Sequence, residues 1–461
     1  MAYTGTLADR FIVHASEKVS QALVYDIETC RCFSMPYDLA KEITSNSCSK
    51  GYVSKVARFL QTKLKGDKAG ESVLHSSPRE LFALRLMVTN RCNFDCTYCY
   101  ADGGSYGLPR EDMTIAVAQK SLEFFLTNYS VVRQVSMFGG EPLLNMGVIK
   151  FVSEYVSKLP SSKRPKLSIV TNGYLLDGEN LDLLKEFDFD IIVSIDGPKQ
   201  VHDLQRTLRR DSTATYRGTF DRVNHNALTC IGSGHPISIE ATYTSNHERQ
   251  GISRHDLDKF LKKQYSAKST IISDMIASEL QSNDTSLVPA QDDDDNEIGA
   301  FFASDFTTPP EEIRALLWTY LTGSFSSSFC GAGMDRFAVN MNGDVYPCHL
   351  FISDKRFVLG NITHDCHLNT LELPSKNSSE CRKCSYYPYC MGCTWSIMSG
   401  KRGCQKIKAD VNTFLHGMLH LRLEEPQKYD DVIEKFSLYF NREDSIQSIT
   451  TARSHESMKK A

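Results

Sequence analysis

The chain has 461 residues, of which 41% are hydrophobic and 23% charged, and its formal net charge is -4. That length is enough for two or three cores, and the charge balance excludes a general nucleic-acid binder. The N-terminal MAYTGTLADRFIVHA has no basic region followed by a long apolar stretch, and no run approaches the roughly 20 apolar residues that span a bilayer, so a cytoplasmic chain without membrane or nucleic-acid partners is expected. Its 15 cysteines then point to metal or redox chemistry, because disulfides are rare in a reducing compartment.

Residues 1–75 read as a small separate unit. Segments 11–14 and 22–26 are expected strands, and 52–64 an amphipathic helix with Val53, Val56, Phe59 and Leu60 at helical spacing. From about residue 82, apolar β-rich segments recur at 84–88, 135–138, 167–170, 191–195, 237–243 and 271–275. Helical patterns lie between several of them, one with Ile115, Ala118, Leu122 and Phe125 on a single face and one starting at Gly147. This alternation predicts an α/β fold with a parallel sheet and outer helices, six units of the eight that close a barrel. The acidic stretch 281–310 reads as a solvated linker or lid, a cysteine-rich region begins at Cys330, and the chain turns polar after about Arg422.

The chemistry-bearing residues fall at the C-terminal ends of the expected strands, where a barrel places its site. Cys92, Cys96 and Cys99 follow the first strand with spacing Cys-x3-Cys-x2-Cys. Three thiolates can hold three irons of a 4Fe–4S cube and leave the fourth without a protein ligand, whereas zinc normally takes four. Gly139-Gly140-Glu141-Pro142 follows the second strand, Thr171-Asn172-Gly173 the third, and Ser194-Ile195-Asp196-Gly197-Pro198 lies at the end of the fourth.

CNFDCTYC followed by FGGEP, TNG and SIDGP resembles the radical S-adenosylmethionine (SAM) superfamily over roughly residues 82–280. The resemblance implies a partial (β/α)6 barrel in which the amino and carboxylate groups of SAM chelate the open iron and a 5′-deoxyadenosyl radical is released on reduction. It implies that Gly139, Gly140 and Glu141 contact the methionine amino group, that Ser194 and Arg206 bind the carboxylate or ribose, and that Tyr98 lies along the adenine. A guanidinium for a carboxylate and a carboxylate for an ammonium agree with that assignment.

Seven further cysteines are Cys330, Cys348, Cys381, Cys384, Cys390, Cys393 and Cys404. Alone, their Cys-x2-Cys pairs would suit a zinc ribbon. Behind a radical SAM barrel the pattern resembles the SPASM extension, over about residues 325–410. That resemblance implies two auxiliary clusters, making three 4Fe–4S clusters in all. Cys381, Cys384, Cys390 and Cys404 would ligate the distal one, and Cys330, Cys348 and Cys393 the nearer. Arg336 stands where a further early cysteine is expected, which implies an open iron that a soft thiolate such as a substrate cysteine would fill; Cys366 or water is the alternative. Cys30, Cys32, Cys48, Cys230 and Cys366 otherwise read as ordinary small core or surface residues.

Tyr346–Phe351 (YPCHLF) resembles the thioether-forming maturases of ribosomal peptides, of the sactipeptide and ranthipeptide type. The implied organisation is a winged-helix-like leader-recognition domain at 1–78, the barrel at 79–312, the SPASM domain at 313–422 and a polar tail at 423–461. The implied partners are a precursor peptide and an electron donor such as flavodoxin or ferredoxin. A maturase forming carbon–carbon or carbon–oxygen crosslinks is an alternative, as is a sulfatase-maturing oxidase. Against the latter, His349 follows Cys348 where that family carries an aspartate base. A non-catalytic zinc protein is disfavoured by the intact Cys92, Cys96, Cys99 and GGEP.

Overall fold

The computed structural model describes residues 2–7, 10–44, 70–71, 80–209, 218–274, 286–287, 298, 301–302, 311–325, 331–364, 367–369, 381, 383–390 and 404–441. The chain divides into two compact units, one of Met1–Leu74, Asp293–Phe329 and Pro374–Ala461, the other of His75–Asp292 and Cys330–Leu373.

The first unit opens with an antiparallel meander of β1 (Ala2–Leu7), β2 (Phe11–Ser16), β3 (Gln21–Asp26) and β4 (Arg31–Pro36), followed by α1 (Tyr37–Thr44). Both strands expected here form, as the central pair. The helix expected over 52–64 lies outside the described residues. Every residue of β2 is buried because both of its faces are covered. Phe11, Val13 and Ala15 pack with Ala40 of α1 on one side. A short strand, β5 (Gly70–Glu71), completes the N-terminal part of this unit.

The second unit begins with six parallel strands in chain order: β6 (Glu80–Thr89), β7 (Val131–Gly139), β8 (Lys166–Thr171), β9 (Asp190–Ser194), β10 (Ile237–Tyr243) and β11 (Thr270–Asp274). All six expected strands are present. β10 shows the period-2 logic plainly, with Ile237, Ile239, Ala241 and Tyr243 buried in alternation. The connections carry α2 (Ile115–Asn128), α3 (Met146–Ser157), α4 (Gly178–Glu186), α5 (Lys199–Gln205), α6 (Phe220–Gly232), α7 (Ser245–Arg249) and α8 (Arg254–Tyr265). Local signals set their starts: Thr114 caps α2 by accepting from the Val117 N–H, and Ser253 with Asp256 forms a capping box on α8.

Beyond the parallel strands, α9 (Glu311–Thr322) and β12 (Ser324–Phe325, paired with β5) return to the first unit. The sheet of the second unit is then extended past β6 by β13 (Arg336–Val339), which pairs parallel with β6, and by β14 (Asp344–Tyr346) and β15 (Gly360–Asn361), both antiparallel. The first unit ends in α10 (Cys404–Glu424) and α11 (Pro426–Asn441). Ile12, Leu23 and Tyr25 of the meander bury against Phe414, Leu415 and Met418 of α10. Within the polar stretch after Arg422, α11 buries Val432 and Phe436, a four-residue spacing that hides an apolar stripe in a polar composition. No described helix is long and apolar enough to cross a membrane.

Candidate functional site

The loop after β6 carries Cys92, Cys96 and Cys99, all partly buried and none in a disulfide. Its backbone is tied to the last residue of α5 and the segment that follows it. Asp95 N–H donates to Thr207 O (2.8 Å), Thr97 N–H to Gln205 O (2.9 Å) and Arg209 N–H to Asn93 O (3.0 Å). The Arg209 side chain donates to the carbonyls of Cys92 and Gly103, each at 3.0 Å, clipping both arms of the loop. Burial pushes the Cys92 thiol up to about 12 and the Cys96 thiol well above its ordinary value, and the charges of Cys92 and Cys99 add to the effect at Cys96. Thiols raised in this way, as at Cys92 and Cys96, are poor thiolates unless a cation compensates them.

The loop after β7 packs backbone against backbone on this segment. Gly140 N–H donates to Thr89 O (3.0 Å) and Glu141 N–H to Arg91 O (2.8 Å). Gly139 has φ +142°, and a Cβ there would stand 1.9 Å from Thr89 O; one on Gly140 would stand 2.3 Å from Arg91 O. Gly139→Ala therefore has to part the ends of β6 and β7, at a cost of about 1–3 kcal/mol for the backbone strain alone. The expected result is lower iron content and a lower melting temperature; full iron loading with unchanged melting would sink this reading of the loop.

Glu141 is fully buried. Its Oε1 accepts from Leu143 N–H (3.0 Å) and the Thr171 hydroxyl (2.7 Å), and its Oε2 from Asn172 N–H (2.7 Å). Burial raises its carboxyl to about 7, with these three bonds favouring the charged form. The carboxylate thus joins the loops after β7 and β8.

At the end of β9, Ser194 is half-buried and Asp196 wholly buried. Asp196 Oδ2 accepts from the Tyr98 hydroxyl (2.6 Å) and Gln205 Nε2 (2.9 Å), while Oδ1 accepts from Arg206 (3.0 Å) and Thr242 N–H (3.0 Å). Burial alone would raise this carboxyl, but Arg206, His202 and the hydrogen bonds together hold it below the ordinary range. The Arg206 guanidinium also lies 5.4 Å from the centre of the Tyr98 ring. One carboxylate thereby joins the cysteine loop, α5 and β10.

Cys348 follows β14, its sulfur 3.3 Å from His349 Nδ1. Arg85 of β6 donates from Nη1 to His349 Nδ1 at 2.5 Å and stacks 4.3 Å from the Phe138 ring centre. Burial, then the Arg85 charge, drives the His349 imidazole well below its ordinary value, so it is neutral. In the other unit Cys381 and Cys384 are joined by Cys384 N–H donating to Cys381 O (3.0 Å), Cys390 ends the buried turn Tyr387–Tyr389, and Cys404 opens α10. Cys330, Cys366 and Cys393 lie outside the described residues.

Residues 86–235 match the Radical SAM superfamily and residues 330–394 an iron–sulfur cluster-binding domain, SPASM. The chain thus carries a radical SAM domain followed by a SPASM domain. A cysteine-type anaerobic sulfatase-maturating enzyme of Clostridium perfringens is 28% identical over 348 residues, 69% of this chain and 88% of that protein. The antilisterial bacteriocin subtilosin biosynthesis protein AlbA of Bacillus subtilis is 25% identical over 71% of each chain. An uncharacterised Methanocaldococcus jannaschii protein is 31% identical, though the match spans only 44% of it. The fold is shared with a solved structure described as native anSMEcpe with bound AdoMet and Cp18Cys peptide, at TM-score 0.56 and 22% identity, covering 77% of this chain and 99% of that one.

The donor set fits the group the radical SAM family implies. Cys92, Cys96 and Cys99 are soft donors on one loop, cradled where Gly139 and Gly140 admit no side chain. Of the predicted SAM-binding residues, the fold brings Tyr98 and Arg206 together through Asp196, sets Gly139 and Gly140 against the cysteine loop, and leaves Ser194 at the end of β9. Residue spacing did not reveal Asp196 as the hub, Arg209 as the loop clip, or Arg85 as the partner of His349. Asp196 sits in the recognised SIDGP, so its signal was present; the partnerships of Arg85 and Arg209 are purely tertiary.

Proposed function

We propose that this radical SAM–SPASM protein is a cytoplasmic peptide maturase that forms cysteine-sulfur-to-carbon thioether crosslinks in a ribosomally made precursor. Cys92, Cys96 and Cys99 would hold the radical-generating 4Fe–4S cluster, and the SPASM cysteines two auxiliary clusters. With SAM bound, a cluster held there would supply the one-electron reduction on which hydrogen removal from the substrate depends. The chain's own residues orient the reactants. The Gly139–Gly140 backbone takes the methionine amino end of SAM, with Glu141 holding that loop from behind. Ser194 and Arg206 take the carboxylate or ribose, and Tyr98, fixed by Asp196, lies along the adenine. Residues 1–78 would bind the precursor leader, and a flavodoxin or ferredoxin would supply electrons. Holding reactants in register and excluding competing radical reactions is the protein's main contribution.

The observation that carries the thioether reading over sulfatase-type oxidation is His349. Where the sulfatase-maturing pattern has an aspartate base, this chain has an imidazole whose Nδ1 is committed to the Arg85 guanidinium. A ring whose Nδ1 lone pair already accepts from a guanidinium, and whose protonation burial disfavours, is a poor proton acceptor. The likeness to a sulfatase-maturating enzyme over most of that protein's length keeps oxidation of a cysteine as the second reading.

Forming a C–S bond from C–H and S–H removes two electrons and two protons for each link. The test is the mass of a precursor peptide encoded beside this chain's gene, taken before and after anaerobic reaction and then after thiol alkylation. The expected product lacks two hydrogens per link and has cysteines that no longer alkylate. The same mass loss with every cysteine still alkylatable would overturn the thioether reading and point to crosslinks that spare sulfur.

A further inference from the structure

A second constellation of ligand-type side chains lies in the first unit, away from the cysteines. His14 sits on β2, on the face that Ile12 presents to α10, and is 3% exposed. Opposite it, His416, His420 and Glu424 follow one another at four-residue spacing along one face of α10. Among the described residues, His14, His420 and Glu424 have ligand atoms that all lie within 4.8 Å of one another. His14 Nε2 is 3.4 Å and His420 Nδ1 3.6 Å from the same Glu424 oxygen. The His14 and His420 rings meet edge-on, 5.3 Å between centres.

These separations are long for charge-assisted hydrogen bonds, which run about 2.7–2.9 Å. They match the spacing of ligands around a small tetrahedral ion. Two nitrogen or oxygen donors, each about 2.0–2.2 Å from zinc, stand roughly 3.3–3.6 Å apart. The second ring nitrogen of His420 lies 3.4 Å from Glu425, the outer carboxylate that commonly orients a ligating imidazole. The Nδ1 atoms of His14 and His416 are buried without a hydrogen-bond partner. A face otherwise built from Ile12, Leu23, Phe414 and Leu415 would accept an apolar residue at less cost, so polar groups kept there call for a ligand.

We propose that His14, His420 and Glu424 bind one zinc ion, with a fourth position for water. Two imidazoles and a carboxylate are a borderline donor set suited to zinc, distinct from the all-thiolate sites of the iron–sulfur clusters. The ion would fasten β2 to α10, joining residues 410 apart in sequence. Its role is structural.

The test uses the full-length holoenzyme, prepared anaerobically, incubated with zinc and freed of excess metal. Zinc, iron and sulfide are counted together, and zinc X-ray absorption reports the ligand shell. About one zinc per chain is expected, with only nitrogen and oxygen neighbours at about 2.0–2.2 Å. His420→Ala and the isosteric Glu424→Gln should lower zinc affinity by at least about tenfold with iron and sulfide unchanged. Zinc should raise the melting temperature of the wild type but not of these variants. His14→Ala is the weaker test, because a buried strand position can fail to fold; partly exposed His420 and the isosteric change at Glu424 decide the matter. No retained zinc, a sulfur shell near 2.3 Å, or variants that hold zinc as tightly as the wild type would each overturn the site.

Discussion

Alanine at Cys92, Cys96 and Cys99 is expected to abolish 5′-deoxyadenosine formation from SAM while leaving the parallel sheet intact. The three thiols share one loop, and that loop is held by backbone bonds to residues 205–209 rather than by the sulfurs themselves. Removing the sulfurs therefore takes away the ligands and spares the frame. The loss should far exceed the ~10–100-fold typical of deleting an outer-shell partner of a metal site. Product chromatography together with circular dichroism separates a missing cluster from a missing fold. Continued turnover by the triple variant would overturn the cluster assignment.

Asp196→Ala is expected to be the most destabilising single change near the site. The carboxylate is fully buried and receives Tyr98, Gln205, Arg206 and the Thr242 N–H. Alanine leaves a buried guanidinium and a backbone donor without their acceptor. Breaking a buried pair from one side typically costs about 3–5 kcal/mol, which chemical denaturation would read as a lower midpoint at unchanged slope. The pH dependence has a definite sign. Because the folded carboxyl is held below its ordinary value, its contribution is fully present above about pH 4 and is lost as pH falls through the folded value. The deficit of the variant should therefore shrink in acid. Equal stability of variant and wild type at neutral pH would show that Arg206 finds another partner. SAM binding should weaken in parallel, because Tyr98 and Arg206 both lose their anchor.

Much of the architecture was legible in the residues. β-branched and apolar segments separated by helical stripes announced six parallel strands, and Cys-x3-Cys-x2-Cys marked the loop proposed to hold the radical-generating cluster. Strand geometry and ligand count are local properties, expressed within a few residues of one another, so spacing alone determined them. The apolar stripe of α11 was harder to see, because Val432 and Phe436 stand in a polar stretch and become core only when a partner surface covers them.

Only the tertiary structure decided which distant groups meet. Glu141 turned out to be a brace for the loops after β7 and β8, and Asp196 the acceptor for four groups drawn from three elements. Arg85 was revealed as the partner of His349, and His14 as the neighbour of Glu424. Each of these pairings spans many residues and depends on which way a side chain leaves a strand or helix. A sequence states how much hydrogen-bonding capacity and charge must be satisfied; the packing of elements selects the partner, because burial makes an unmatched polar group costly.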